Sequence, residues 1–157
     1  MIQRIQTIYL LLCIVCIVLC MCNPVGYLDL QDGTSDTLYN LWVSRQEEDG
    51  IRHLIMPWPV LFTLLTLVAS ILMFDIFLFK KRALQMRLLN FGLIVLILYY
   101  LVAVVFIYIA LRGDSPCIGF RPTVWAALPI VAVILGYLAF RAILRDELLV
   151  RSLDRLR

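Results

Sequence analysis

Histidine is nearly missing from this 157-residue sequence, with His53 the only one. A histidine-based catalytic triad would have to use it, and an H-E-x-x-H zinc motif is absent. So are a glycine-rich phosphate loop and a nucleophile elbow. Loop cysteines are scarce as well. Cys13, Cys16, Cys20 and Cys22 stand in the first apolar block, and only Cys117 falls in a polar stretch. That placement excludes an extracellular disulfide framework, which needs cysteines in loops. Net positive charge is small, +3, and no basic face is interleaved with exposed aromatics, so nucleic acid is not an expected partner. His53 with Glu47, Glu48 and Asp49 could make at most a weak metal site. A solvated loop is the preferred reading, and no metal or cofactor is assigned.

What the sequence has in excess is apolar residues. It is 63% hydrophobic, with a mean hydropathy of +0.95, where a soluble domain is about half apolar. The excess lies in blocks, which predicts an all-α integral membrane protein of a single domain. The basic turn over residues 80–87 separates apolar runs at 60–79 and 88–111. Each run is long enough to cross a bilayer, which takes roughly 20 residues. Four transmembrane helices are predicted, at about 5–23, 57–79, 86–112 and 122–144, forming a four-helix bundle.

The first apolar segment follows Arg4. It lacks the small-x-small site of a cleaved signal peptide, so it reads as an uncleaved helix that Asn23-Pro24 ends. The loop over 24–56 holds six acidic residues against Arg45 and Arg52. Asp32-Gly33 suits a tight turn, and a small β-hairpin and an irregular loop fit the flanking residues equally. Residues 115–121 read as a short loop. Pro129 is expected inside the fourth helix, kinking it near Trp125. Beyond Arg141 the helical pattern continues through 141–157 without glycine or proline, as a cytoplasmic tail with a narrow stripe of Ala142, Leu149, Leu153 and Leu156. Ten basic residues fall on the side of the termini and the 80–87 turn, and four on the other, so both termini are expected in the cytoplasm.

Three stretches carry a family resemblance: the opening Met1-Ile2-Gln3-Arg4-Ile5-Gln6-Thr7-Ile8-Tyr9-Leu10-Leu11-Leu12; the turn Lys80-Lys81-Arg82 with Gln85-Met86-Arg87; and the ending from Leu138-Ala139-Phe140-Arg141 through Asp146-Glu147 to Ser152-Leu153-Asp154-Arg155-Leu156-Arg157. The chain resembles the bacterial membrane family catalogued as domain of unknown function 4293. The resemblance implies a four-helix protein of a Gram-negative inner membrane and no particular activity.

Few residues offer chemistry. Cys13, Cys16 and Cys20 share a helix face, but Cys13 would sit roughly 12 Å along the helix from Ile5, in hydrocarbon where thiolates form poorly. Packing is the preferred role of these cysteines; a thiol oxidoreductase using Cys13, Cys16, Cys20, Cys22 and Cys117 is the enzymatic alternative. A single Cys22–Cys117 bond stays open. Asp75 is the one carboxylate inside an apolar run. Snorkelling toward Lys80 or Arg82 accounts for it, and a small transporter is the competing reading. Ala132-x-x-x-Gly136 permits close helix approach, within the chain or between copies. The favoured function is therefore a non-enzymatic membrane component that binds other proteins, or itself as a homo-oligomer. The candidate contacts are Leu149, Leu153, Leu156, Ala132 and Gly136, and the lipid bilayer is the constant partner.

Overall fold

The computed structural model of the chain describes residues 3–30, 33–46, 52–57, 59–78, 81–112 and 117–154. Among the described residues four α-helices form: α1 (Gln3–Cys22), α2 (Pro59–Phe77), α3 (Arg82–Arg112) and α4 (Leu128–Asp154). Three of them are long and apolar enough to cross a membrane, while the apolar part of α1, Gln6–Cys22, is shorter. α1 packs on α4 and α2, and α3 packs on α2 and α4.

One spacing rule governs this packing. The buried positions are Gln6, Leu10, Cys13, Ile17 and Cys20 on α1; Leu61, Leu65, Val68, Leu72 and Asp75 on α2; and Pro129, Ala132, Gly136, Ala139, Ile143 and Asp146 on α4. Steps of three and four alternate, the period of a seam that keeps facing its neighbours. Outside the seam the helices are apolar too, with Leu11, Phe74, Leu101, Val104 and Ile134 all more than half exposed.

Five strands pair in one antiparallel sheet of order β4-β3-β2-β1-β5: β1 (Gly26–Leu30), β2 (Ser35–Leu38), β3 (Trp42–Gln46), β4 (Arg52–Pro57) and β5 (Cys117–Pro122). The first four come from the α1–α2 connection, which is therefore neither a lone hairpin nor an irregular loop. The β1–β2 turn does use Gly33, at φ 77°, where glycine carries no steric penalty. β5 replaces the loop expected over 115–121. It pairs with β1, Leu28 opposite Phe120, so the two connections meet at one end of the helices. Gly26 is required there: a Cβ would lie 2.3 Å from the Phe120 ring and 2.9 Å from the Arg121 carbonyl.

The sheet's inner face carries Leu28, Leu38 and Val43 into the same buried cluster as Cys20 and Tyr99. On that face Arg45 donates from Nε and a terminal nitrogen to both oxygens of the buried Asp36, at 2.8 and 2.9 Å. On the outer face Arg121 donates to Asp29 at 2.5 Å. Its hydrogen bond and the Asp29 charge raise the guanidinium above its ordinary value.

α4 starts later than expected. Thr123 closes β5, its hydroxyl donating to the Pro24 carbonyl, and a 3₁₀ turn over Val124–Ala127 leads into α4. Pro129 is thus the second residue of α4 and not an interior kink. Its missing N–H costs nothing in a first turn. At the other end α3 begins at Arg82, earlier than 86. Gln85 and Arg87 are therefore helical, and just before α3 the Lys81 N–H donates to the Leu78 carbonyl.

Candidate functional site

Polar chemistry collects where the sheet meets the helices. α1 ends at Cys22, so its last four carbonyls lack helical partners. Side-chain amides reach two of them. Asn23 Nδ2 donates to the Leu19 carbonyl at 2.8 Å, and Asn40 Nδ2, from the β2–β3 turn, donates to the Cys20 carbonyl at 2.8 Å. Asn40 is fully buried. Its Oδ1 accepts from the Tyr99 hydroxyl of α3 at 2.8 Å. Cys20 Sγ lies 3.7 Å from the Asn40 amide and 3.9 Å from the Tyr99 oxygen, as a soft edge of the same cluster. Tyr100 stacks edge-on against Tyr99, ring centroids 5.3 Å apart.

Tyr100 does something separate. Its hydroxyl donates to the Ala126 carbonyl at 2.7 Å and accepts from Ile130 N–H at 3.1 Å. Ala126 and Ile130 are the i−4 and i partners of an ordinary helical hydrogen bond. The hydroxyl is inserted between them, joining the 3₁₀ turn to α4 where the ladder opens.

The opposite end has two buried side-chain amides. Gln6 Nε2 donates to Asp146 Oδ2 at 2.8 Å, linking α1 to α4. Gln85 Nε2 donates to the Asp75 backbone carbonyl at 3.3 Å, linking α3 to α2. Asp75 itself overturns the snorkelling expectation. Its side chain is 0% exposed, because it continues the inward face of Leu61, Leu65, Val68 and Leu72. Neither carboxylate oxygen has a hydrogen-bond partner among the described residues. Lys80 lies outside the described residues, as does the Arg82 side chain.

Among the described residues no two cysteines are bonded to each other. Cys13, Cys16, Cys20 and Cys22 are all free thiols. Cys13 Sγ donates to the Ala132 carbonyl of α4 at 3.3 Å. Cys22 is exposed and unpaired, and the Cys117 side chain lies outside the described part. No group of three metal-binding side chains occurs among the described residues. Glu47, Glu48 and Asp49 lie outside those residues, as does the side chain of His53, which stands in β4.

Of the expected contact residues, Ala132 and Gly136 face the protein interior. Ala132 is buried beside Cys13, and a Cβ on Gly136 would lie 2.7 Å from Leu93 Cδ2 of α3. Leu149 and Leu153 belong to the last turns of α4, with side chains outside the described part, and Leu156 lies outside the described residues altogether. The Asn40–Tyr99–Cys20 cluster and the Tyr100 bridge escaped sequence reasoning. The only signals for them were polar residues at seam spacing, Cys20 on α1 and Tyr99 on α3.

These features define a mostly helical protein with membrane-like helices, capped by a small antiparallel sheet, whose buried polar groups hold elements together. The family described as "Domain of unknown function (DUF4293)" matches residues 2–156, and the chain belongs to it. Comparison with curated proteins gave no match.

Proposed function

We propose that the protein is a multi-pass component of the bacterial inner membrane, a four-helix bundle with both termini in the cytoplasm, that binds another protein without catalysing a reaction. The membrane part is supported by the outer faces of the helices, which are largely aliphatic and aromatic where a water-soluble protein is polar. α1 acts as the fourth span: 20 residues at 1.5 Å each give roughly 30 Å, the thickness of the hydrocarbon core. Orientation follows the excess of arginine and lysine at the end opposite the sheet.

The observation that carries the binding role is the length of α4. Its 27 residues make a rod of roughly 40 Å, about 10 Å more than a bilayer core needs. The surplus is the stretch holding Leu149 and Leu153. A helix end held rigidly beyond the membrane, with leucines four apart, suits docking to one partner helix. A photoreactive residue in place of Ser152 tests this in whole cells. The wild type should cross-link to a discrete protein, and Leu149→Glu with Leu153→Glu should abolish the adduct while membrane insertion persists. An unchanged adduct in the double variant, or lipid adducts alone in the wild type, refutes the binding role.

A small proton-coupled transporter is the second reading, favoured by the orphaned carboxylate of Asp75. Intramembrane acids without a structural partner are expensive and commonly functional. Asp75→Asn would then abolish a proton-coupled uptake at normal protein level. Growth and uptake indistinguishable from wild type would remove this reading.

A further inference from the structure

α3 and α4 approach closely at Gly136 and Leu93. Toward the end opposite the sheet they leave a groove of about 520 Å³ between them, in the size range of small-molecule sites. Met86, Arg87 and Asn90 line it from α3, and Phe140, Leu144 and Glu147 from α4. The helices run antiparallel, so Arg87 and Glu147 lie toward the open end. Asn90 sits three residues farther in, roughly 4.5 Å.

The groove is chemically divided. Its walls are apolar through Phe140, Leu144 and Met86, and Phe91 and Ile94 are exposed on the next turn of α3. Its rim holds one cation and one anion. Arg87 and Asn90 are exposed and have no hydrogen-bond partner among the described residues. An amide left without a partner on an apolar helix face is costly. Glu147 is half-buried and interacts within the chain; an ionised carboxylate accepts about four hydrogen bonds and keeps capacity for another donor.

We infer that this groove binds a phospholipid whose headgroup joins a phosphate to a primary ammonium, a phosphatidylethanolamine. Arg87 takes the phosphate, Glu147 the ammonium and Asn90 a glycerol ester carbonyl, while an acyl chain follows Phe140 and Leu144 onto the outer surface. The opposed charges select this headgroup. An anionic lipid would satisfy Arg87 and face repulsion from Glu147, and a choline headgroup has no N–H to donate. The inference rests on the membrane reading above.

The test uses the full chain in mixed micelles holding equal amounts of phosphatidylethanolamine, phosphatidylcholine and phosphatidylglycerol with identical acyl chains. Native mass spectrometry counts the lipids retained. The wild type should retain the ethanolamine lipid over the choline lipid roughly fivefold, the ratio for one charge-assisted hydrogen bond at a water-facing rim. Glu147→Gln should erase that preference and keep phosphate-dependent retention. Arg87→Gln should lower retention of all three lipids. Equal retention of ethanolamine and choline lipids by the wild type, a preference that survives Glu147→Gln, a preference for phosphatidylglycerol, or a second copy of the chain in place of lipid each overturns the inference. Alkaline carbonate extraction separates the two levels. A chain that stays with the membrane yet shows no headgroup preference refutes the lipid site alone, whereas a chain released by the wash refutes the membrane reading beneath it.

Discussion

Asn40 is the best place to weigh what joins the sheet to the helices. It is fully buried, donates to the Cys20 carbonyl and accepts from Tyr99. Asn40→Ala removes both bonds and leaves a buried carbonyl and a buried hydroxyl without partners. Each stranded group costs about 1–3 kcal/mol, so the variant should lose about 2–6 kcal/mol of stability. Tyr99→Phe strands only the Asn40 Oδ1 and should lose about 1–2 kcal/mol. In the double variant Tyr99 has no hydroxyl left to strand, and only the Cys20 carbonyl is orphaned. Its cost should therefore fall below that of Asn40→Ala alone, to about 1–3 kcal/mol, with a coupling of at least about 2 kcal/mol between the two sites. Reversible unfolding in mixed micelles, driven by rising dodecyl sulfate and followed by circular dichroism, measures all three. Strict additivity, or an Asn40→Ala cost below about 0.5 kcal/mol, the usual range of a surface change, would refute the reasoning.

The inserted hydroxyl of Tyr100 predicts that Tyr100→Phe strands the Ala126 carbonyl and Ile130 N–H and costs about 1–3 kcal/mol, with hydrogen exchange accelerated at Ile130 and not at mid-α3. Cys13→Ala with Cys16→Ala should keep whatever growth phenotype the gene confers and cost about 1–2 kcal/mol, since a small volume is removed and one weak thiol bond lost; loss of disulfides in other proteins of the cell would contradict the packing role. Gly26→Ala should lower stability by about 1–3 kcal/mol through overpacking against Phe120, and pairing it with Phe120→Ala should recover part of that loss in the same unfolding assay.

Local rules were legible from the residues. Asn23-Pro24 stops α1 because proline constrains its predecessor, Asp32-Gly33 marks a turn because Gly33 sits at positive φ, and α4 continues past Arg141 because nothing interrupts it. The sheet was not legible as a whole. Cys117–Pro122 holds only six residues, and what makes it a strand is its pairing with β1, some ninety residues earlier, which no local pattern encodes. Asp75 misled for a related reason. Its closeness to the basic turn suggested an outward side chain, but the alternation of three and four from Leu61 onward turns it inward, and a carboxylate obeys that geometry as a leucine does. The Asn40 cluster was hidden because its members come from a helix end, a turn and a distant helix. Each looks ordinary alone.

The partnership of α1 with α4 has a consequence for the order in which the chain can be made. α1 emerges first, and its most extensive contact is with the last helix to appear. Roughly a hundred residues separate them, which at 5–20 residues per second is a delay of roughly 5 to 20 seconds. During that interval the Gln6 amide has no Asp146 to meet, and Cys13 has no Ala132 carbonyl. β1 likewise lacks β5 along one edge until α3 has been completed. Over that interval the nascent chain holds one polar-seamed helix and one open strand awaiting partners. A chaperone that shelters α1 over those seconds would set the yield of folded protein, however stable the finished structure is.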